Sequence, residues 1–542
     1  MITGTPRGFR DILPHEALVR EGIVAKVREC FSSAGYLPVE TPLLEDRRVL
    51  ERAGRIQDSP FQLFDSDDRL LMLRPDLTLP IARMVSTRMA DDEMPLRLRY
   101  EAPVFREQAS LRGRPRQFTQ LGIELIGGDD VASECEVVSL LAWTLEALGV
   151  ASWHIVCGSV SPLTALLDHC VADGSLRETI LSLVHSSDLV GLDEAVGTSD
   201  MDVATSAALR RIVRLHGGAE ALDEVDDLLS KAGIDEASRG VGELRMLSEG
   251  LDRVGLSGRL TFDFSIVNSF DYYTGVVFKA YADGMSSSLA SGGRYDAVLA
   301  NLGMPGVAAC GFALSLERLQ EALGESDVRG EGRGPLRIAV PKGSLNVDTI
   351  SAFKAAGLPV EGLANPGRKL IISAGDVEYV IVRATDAPAF VSHGGADCGI
   401  CGSDSLIEAD LDLIQLVDLG YGACRFIVAE PASHAGWADR AYARRGTMRV
   451  ATKYPRITQA YYDDIGQQVD ILALHGNIEL GPIVGMVDRI VDITATGTTL
   501  AENDLVIVDD VMECTARFFA NPAAYRCDER ICDLATRLSS LS

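Results

Sequence analysis

The run IVDITATGTTLAENDLVIVDDV, residues 490–511, places two anion-handling arrangements a few residues apart. In the first, an apolar strand leads into TATGTT. Small and hydroxyl residues with one glycine give a turn whose backbone N–H groups converge on an anion, and the threonine hydroxyls add donors. Asp488 and Asp492 precede that turn, four residues apart. Carboxylates oppose a phosphate but suit sugar hydroxyls, which donate to them. Asp488, Asp492, Thr494, Ala495, Thr496, Gly497, Thr498 and Thr499 therefore form a candidate cradle for a phosphorylated sugar, although TATGTT alone reads equally as a Thr-capped turn between strand and helix. The second arrangement, VIVDDV, ends an apolar strand in Asp509 and Asp510, and the MECTARF that follows holds no glycine. It reads as a strand terminus.

Cys398 and Cys401, in ADCGICGSD, have the spacing of a redox or zinc pair. A structural zinc site needs a second such pair, and none exists. The 11 cysteines are an odd number at no repeating spacing, which predicts reduced thiols and a reducing compartment.

The elements that must hold these residues follow from periodicity. LRIAVP, YVIVRA, ADCGICG, FIVAE, MRVATK, VDILALH, RIVDI and LVIVDD are short apolar strands alternating with helical runs, which predicts parallel sheets with crossover helices. Two lobes are expected, 336–446 plus 506–542 and 447–505, with ligands at the C-terminal ends of the strands. Gly, charge and Pro replace apolar periodicity at 322–335, a linker. Before it, strands such as LRLRYEAPVFRE and LTFDFSIVNSFDYYTGVVFKAY flank a Leu/Ala-rich helical stretch at about 160–257. That order predicts an α+β domain over 1–321 with a helical insertion.

Composition excludes several classes. A net charge of −27 opposes prolonged contact with a nucleic-acid backbone, which draws on clustered Lys and Arg. No apolar run approaches the ~20 residues a membrane-crossing helix needs. MITGTPRGFRDILPHEAL has no apolar core of a secretory signal, so a cytoplasmic location is expected.

LRIAVPKGSL, GRKLI, VRATDAPAFVSHGGADCGICGSDSL, DLGYGACRFIVA, RVATKYP and ELGPIVGMVDRIVDITATGTTLAENDL, in this order over residues 336 to about 520, resemble the short form of ATP phosphoribosyltransferase. The resemblance implies an α/β protein of two periplasmic-binding-protein-like lobes. It implies attack of N1 of ATP on C1 of 5-phosphoribosyl 1-pyrophosphate, with Mg²⁺ and loss of pyrophosphate. On it, Lys342, Arg368 and Arg383 are the catalytic cations; Asp404, Lys453 and Tyr454 bind ATP; and the TATGTT cradle takes the phosphoribosyl group. Ser344 stands where many members have Arg after PKG. VIVDDV resembles the motif of the commonest phosphoribosyltransferases but lacks the Thr/Gly loop that follows it there.

GYLPVETPLLE, LRPDLT, LRYEAPVFRE, GRPRQFTQLGIELIG, DYYTGVVF and SGGRYDAVLANLGMPGVAACGFALSLERL resemble the catalytic core of histidyl-tRNA synthetase, including counterparts of the three class II motifs. The resemblance implies a class II fold with a six-stranded antiparallel sheet. It implies a regulatory histidine site of Asp76, Arg106, Gln120, Glu124, Tyr272 and Tyr273, with Arg106, Arg116 and Arg318 where the synthetase holds ATP. NSFDYY puts Asn268 where the synthetase carries its adenylate-promoting Arg, a loss worth on the order of 3 kcal/mol. The anticodon-binding domain is replaced by the transferase. The N-terminal half is thus similar to the regulatory subunit of ATP phosphoribosyltransferase, here fused to its catalytic partner. A feedback inhibitor, histidine, is expected, and so is a homo-oligomer. The alternative is a bifunctional histidyl-tRNA synthetase.

Overall fold

Most of the apolar runs become strands with buried side chains on both faces, whereas VDILALH and LVIVDD become the two largely exposed edge strands of one sheet. The computed structural model describes residues 4–541 except 55–60, 108–114, 129–130, 267–272, 326–333, 366 and 495–497. The chain divides into two compact units, Met1–Arg333 and Gly334–Ser542.

In the first unit, strands Leu96–Phe105, Gln117–Ile126, Ala309–Ser315, Ala290–Arg294, Val277–Ala282 and Trp153–Gly158 pair antiparallel in that spatial order. This is the antiparallel sheet of six that the resemblance implies. Short strands extend it to nine: Leu37–Pro38 joins one edge in parallel, while Leu260–Asp263, also parallel, and His216–Gly217 join the other. The sheet is therefore mixed at its margins. The helical insertion lies between Trp153–Gly158 and Leu260–Asp263 and comprises the helices Ser161–Cys170, Gly174–His185, Leu189–Thr198, Val203–Ile212, Ala219–Lys231 and Gly242–Arg253. Its apolar positions recur at helical spacing and are buried, as with Leu222, Val225 and Leu229.

In the second unit two sheets form. The first runs Ile371–Ala374, Val377–Arg383, Leu336–Lys342, Cys398–Gly402, Ala516–Ala520, Ile414–Asp418. The second runs Val469–Ala473, Met448–Thr452, Arg489–Thr494, Cys424–Pro431, Leu505–Cys514. Each is mixed rather than wholly parallel. In the second sheet alternation decides the core: Phe426, Val428, Val450 and Val491 face one cluster, and Ile427, Ala429, Ala451 and Ile490 face another.

Three features depart from the sequence reading. Cys424–Pro431 and the VIVDDV strand Leu505–Cys514 were expected in the first lobe but pair antiparallel with each other in the second sheet. Asp509 and Asp510 lie within that ladder, next to a register shift, and not at a strand end. The linker expected from 322 is helical at first, as the helix Leu316–Glu325 runs into it.

The chain passes between the sheets of the second unit twice, at 419–423 and at Thr515. The two passages are bound together: Leu419 N–H donates to Ala516 O at 2.9 Å, Ala516 N–H donates to Tyr421 O at 2.9 Å, and Thr515 Oγ1 donates to Asp418 at 2.7 Å. Arg517 also pairs with Asp418.

A candidate active site and a candidate regulatory site

Strand direction determines which residues of the second unit meet. In the first sheet Leu336–Lys342 is parallel to Val377–Arg383 and to Cys398–Gly402, with Lys342 directly opposite Arg383. Their C-terminal ends lie at the edge where Asp418 ends its strand and Ala516 begins the returning one. In the second sheet Met448–Thr452 and Arg489–Thr494 are parallel, and Thr494 is opposite Arg425, beside the incoming passage at Cys424. Both sheets thus present their parallel strand ends at the edge crossed by the two passages. Lys342, Arg383, Asp404, Lys453, Tyr454, Asp492 and Thr494 all occupy that edge.

Lys342 and Arg383 are exposed, as is Arg368. The ladder between Ile371–Ala374 and Val377–Arg383 ends with Ile381 N–H donating to Leu370 O at 2.8 Å, which puts Arg368 at the Arg383 end of the sheet. Gly343 turns the chain after Lys342 with φ +93°, a conformation that favours glycine. Ser344, next in that turn, is exposed.

Asp404 lies on the short helix Ser403–Ala409 and is 8 % exposed. Burial pushes its carboxyl above the ordinary value. Tyr454 packs edge-on against Phe426, with ring centroids 4.7 Å apart. Burial first, then the nearby charge of Asp404, hold its hydroxyl well above the usual phenol range. Lys453 Nζ lies 3.7 Å from Asp492 Oδ2. Burial raises the Asp492 carboxyl, and Lys453 opposes that rise. Of the cradle, Ala495, Thr496 and Gly497 lie outside the described residues; Thr498 and Thr499 open the short helix Thr498–Glu502.

Asp488 does not join Asp492. Four residues of strand span about 13 Å, and Asp488 sits at the opposite end of Arg489–Thr494 from the TATGTT turn. Its side chain is 0 % exposed and pairs with Arg445 at 2.7 Å and Arg449 at 2.9 Å. Burial pushes its carboxyl up, but hydrogen bonds from the Arg449 side chain and backbone and the charges of Arg449 and Arg445 hold it below the ordinary value. Its contribution to stability is therefore complete above the unfolded aspartate value of about 4 and is lost as pH falls through the lower folded value. Asp488→Asn is expected to cost about 2 kcal/mol, less than for a fully buried pair because both arginines reach solvent. The thermal transition should fall by about 5 °C at pH 7 and by clearly less at pH 3, as read by circular dichroism.

Asp510 pairs with Arg425 at 2.8 Å and Asp509 accepts from Tyr461, both within the second sheet and its flanking helix. Cys398 and Cys401 are fully buried on one strand, three residues apart and so on opposite faces. Burial pushes both thiols well above the ordinary value, which leaves them inert packing groups. Among the described residues no three His, Cys, Asp or Glu lie close enough together to hold a metal ion, and no helix is long and apolar enough to cross a membrane.

In the first unit the sheet brings most of the implied histidine pocket together. Asp76 is 3 % exposed and accepts from Leu79 N–H at 3.2 Å; among the described residues its Oδ2 has no hydrogen-bond partner. Burial raises its carboxyl to about 6, against the charge of Arg106. Glu124, 1 % exposed, accepts from Tyr295 at 2.5 Å and Thr78 at 2.8 Å. Burial dominates those bonds and pushes it up to about 8. A Cβ at Gly311, opposite Glu124 on the neighbouring strand, would overlap that carboxylate, so glycine there makes the room. Gln120, on the Glu124 strand, is buried with Oε1 unpaired among the described residues. Arg106 donates to Pro75 O at 3.1 Å and lies over the Phe118 ring. Tyr273 packs at the rim of the core, and Tyr272 and Asn268 lie outside the described residues. Thr78 and Tyr295 were missed, although both stand within LRPDLT and SGGRYD, the quoted blocks. Of the implied ATP arginines, Arg116 pairs with Glu107 and Arg318 donates to Ser288 O at 2.6 Å.

The family model for Histidyl-tRNA synthetase matches residues 8–319, and that for ATP phosphoribosyltransferase matches residues 383–540. An ATP phosphoribosyltransferase of Rubrobacter xylanophilus is 49% identical over 191 residues, 35% of this chain and 88% of that protein. The chain belongs to the histidyl-tRNA synthetase family by its first unit and to the ATP phosphoribosyltransferase family by its second. The synthetase-family unit is also 35% identical, over 327 residues, to an ATP phosphoribosyltransferase regulatory subunit of Geobacillus thermodenitrificans, covering 60% of this chain and 82% of that one. A crystal structure from Bacillus halodurans, described as an ATP phosphoribosyltransferase regulatory subunit/histidyl-tRNA synthetase, superimposes with a TM-score of 0.56 at 28% identity, over 70% of this chain and 99% of that chain. The transferase-family unit carries the convergent strand ends, and the synthetase-family unit carries the buried Asp76–Glu124 pocket.

Proposed function

We propose that the chain is an ATP phosphoribosyltransferase with a built-in histidine sensor. The transferase unit joins ATP to 5-phosphoribosyl 1-pyrophosphate, forming 1-(5-phosphoribosyl)-ATP and pyrophosphate, the first step of histidine biosynthesis. Histidine bound in the synthetase-family unit inhibits it. The observation that carries this reading is the placement of Lys342 opposite Arg383 at the strand ends, on the edge that also bears Asp404, Lys453 and Asp492.

In this reading the two sheets act as lobes of a periplasmic-binding-protein-like fold. The reaction needs no side-chain nucleophile; it needs two anionic substrates aligned and a leaving group whose growing charge is met. Lys342 and Arg383, with Arg368 beside them, face the departing pyrophosphate. Thr494 to Thr499 hold the 5-phosphate, and Asp492 accepts from ribose hydroxyls while Lys453 keeps its charge balanced. Asp404 and Tyr454 hold the nucleotide. Mg²⁺ bound with the substrates would offset the charge of their phosphates, a role suited to an ion that keeps few protein ligands.

In the sensor, Asp76 meets the α-ammonium group, while Gln120, Glu124 and Tyr273 address the rest of the amino acid. Histidine sensitivity makes the two units a coupled pair of distinct sites. The setting is the cytoplasm, and the chain acts as a homo-oligomer. Pyrophosphate release tests the transferase assignment. It should require ATP and 5-phosphoribosyl 1-pyrophosphate together, and release from either substrate alone would refute it.

A further inference from the structure

The helix Pro455–Asp464 begins immediately after Lys453 and Tyr454, and its own sequence leaves its first turn uncapped. Tyr454 occupies the N-cap position and makes no side-chain capping bond, and Pro455 at the first helical position has no N–H. The next two donors, Arg456 N–H and Ile457 N–H, would be orphans. They are met from the other sheet. Glu408, on the helix Ser403–Ala409 of the first sheet, accepts from Arg456 N–H at 3.2 and 3.1 Å through its two oxygens and from Ile457 N–H at 3.3 Å. Arg456 in turn reaches Asp410 at 2.9 Å. Glu408 thus supplies, from one lobe, the cap that the helix of the other lobe lacks.

Its place on its own helix gives this contact a functional direction. Asp404 and Glu408 are four residues apart on Ser403–Ala409, one turn along the same face. The face that presents Asp404 to the nucleotide region also grips the helix that follows Lys453 and Tyr454. A single seven-residue helix therefore ties the first sheet's part of that region to the second sheet's part. The passages at 419–423 and Thr515 join the two sheets through the chain, and the Glu408 contact joins them at a further point.

We propose that Glu408 is a positioning residue for ATP: by capping Pro455–Asp464 across the two sheets it sets Lys453 and Tyr454 against Asp404. It touches neither substrate in this scheme. The inference rests on the transferase reading and on the assignment of Asp404, Lys453 and Tyr454 to ATP. It also predicts a split between the substrates, because the groups assigned to the phosphoribosyl donor, Asp492 and Thr494 on the second sheet and Lys342 and Arg383 on the first, lie on strands and on neither of the two helices that Glu408 joins.

The test uses the full-length protein, its Glu408→Ala and Glu408→Gln variants, and steady-state kinetics with ATP and 5-phosphoribosyl 1-pyrophosphate varied in turn. Calorimetric titration with MgATP and thermal unfolding accompany them. Glu408→Ala should raise KM for ATP and weaken MgATP binding about tenfold, with KM for the phosphoribosyl donor within twofold of wild type. Glu408→Gln, which keeps an acceptor oxygen for the two N–H groups, should return the ATP values to within threefold. The inference is overturned if the Ala variant binds ATP as wild type does. It is equally overturned if both KM values rise together, the mark of general loosening, or if Gln fails to rescue a variant that unfolds at the wild-type temperature. A wild-type protein that makes no phosphoribosyl-ATP overturns the transferase reading itself and this inference with it.

Discussion

Replacing Arg383 by Met is expected to lower kcat/KM by about 10²–10³-fold, the loss typical of removing one preorganised donor from a developing anion. The variant keeps an unbranched stem and removes the charge. Arg383 ends its strand, exposed and opposite Lys342, and the backbone there is already fixed by the parallel ladder from Leu336 to Lys342. The substitution therefore removes a cation without disturbing the sheet. Lys342→Met should have a comparable effect, and the double variant should lose less than the product of the two, because in the proposed reaction both cations serve one leaving group. Arg368, which approaches the same end from a turn, should matter less. Kinetics of the three variants, with folding checked by circular dichroism, would decide. An Arg383→Met enzyme within threefold of wild type would place the leaving group elsewhere.

Asp76→Asn should raise the histidine concentration that gives half inhibition by about 30- to 150-fold, or 2–3 kcal/mol, the cost of replacing a charged acceptor in a buried site. Asp76 is the better probe of the two buried acids. Its carboxyl, raised to about 6, is still mostly ionised at pH 7 and so is ready to meet an ammonium group, whereas Glu124, pushed up to about 8, is mostly protonated and already engaged by Tyr295 and Thr78. Histidine binding by calorimetry separates two causes. If binding is lost in parallel with inhibition, the pocket is the sensor; if binding persists and inhibition disappears, Asp76 acts in the coupling instead.

What the sequence made legible follows from what is local. Alternation and apolar runs located the strands, and the strand-end rule pointed to where ligands gather; Lys342 and Arg383 came from the resemblance to ATP phosphoribosyltransferase, and only the parallel ladder sets them opposite each other. Sheet membership is not local. Cys424–Pro431 reads as a strand in either lobe, and only its antiparallel pairing with Arg489–Thr494 and Leu505–Cys514 places it in the second. Asp488 failed for a geometric reason: a separation of four brings side chains together on a helix but holds them a dozen ångströms apart on a strand. Glu408 had no local mark, since a cap supplied from another sheet leaves no pattern near the helix it caps. Thr78 and Tyr295 stood beside chosen residues, and their role becomes visible only when the sheet brings Glu124 between them.

The central claim is one chain that makes phosphoribosyl-ATP and senses histidine. The most direct measurement incubates the full-length protein with ATP, Mg²⁺ and 5-phosphoribosyl 1-pyrophosphate and follows phosphoribosyl-ATP while histidine is titrated. Product should form with one pyrophosphate released per nucleotide modified, and its rate should fall as histidine fills the first unit's pocket. Absence of phosphoribosyl-ATP, or histidine-dependent formation of an aminoacyl-adenylate in its place, would contradict the account.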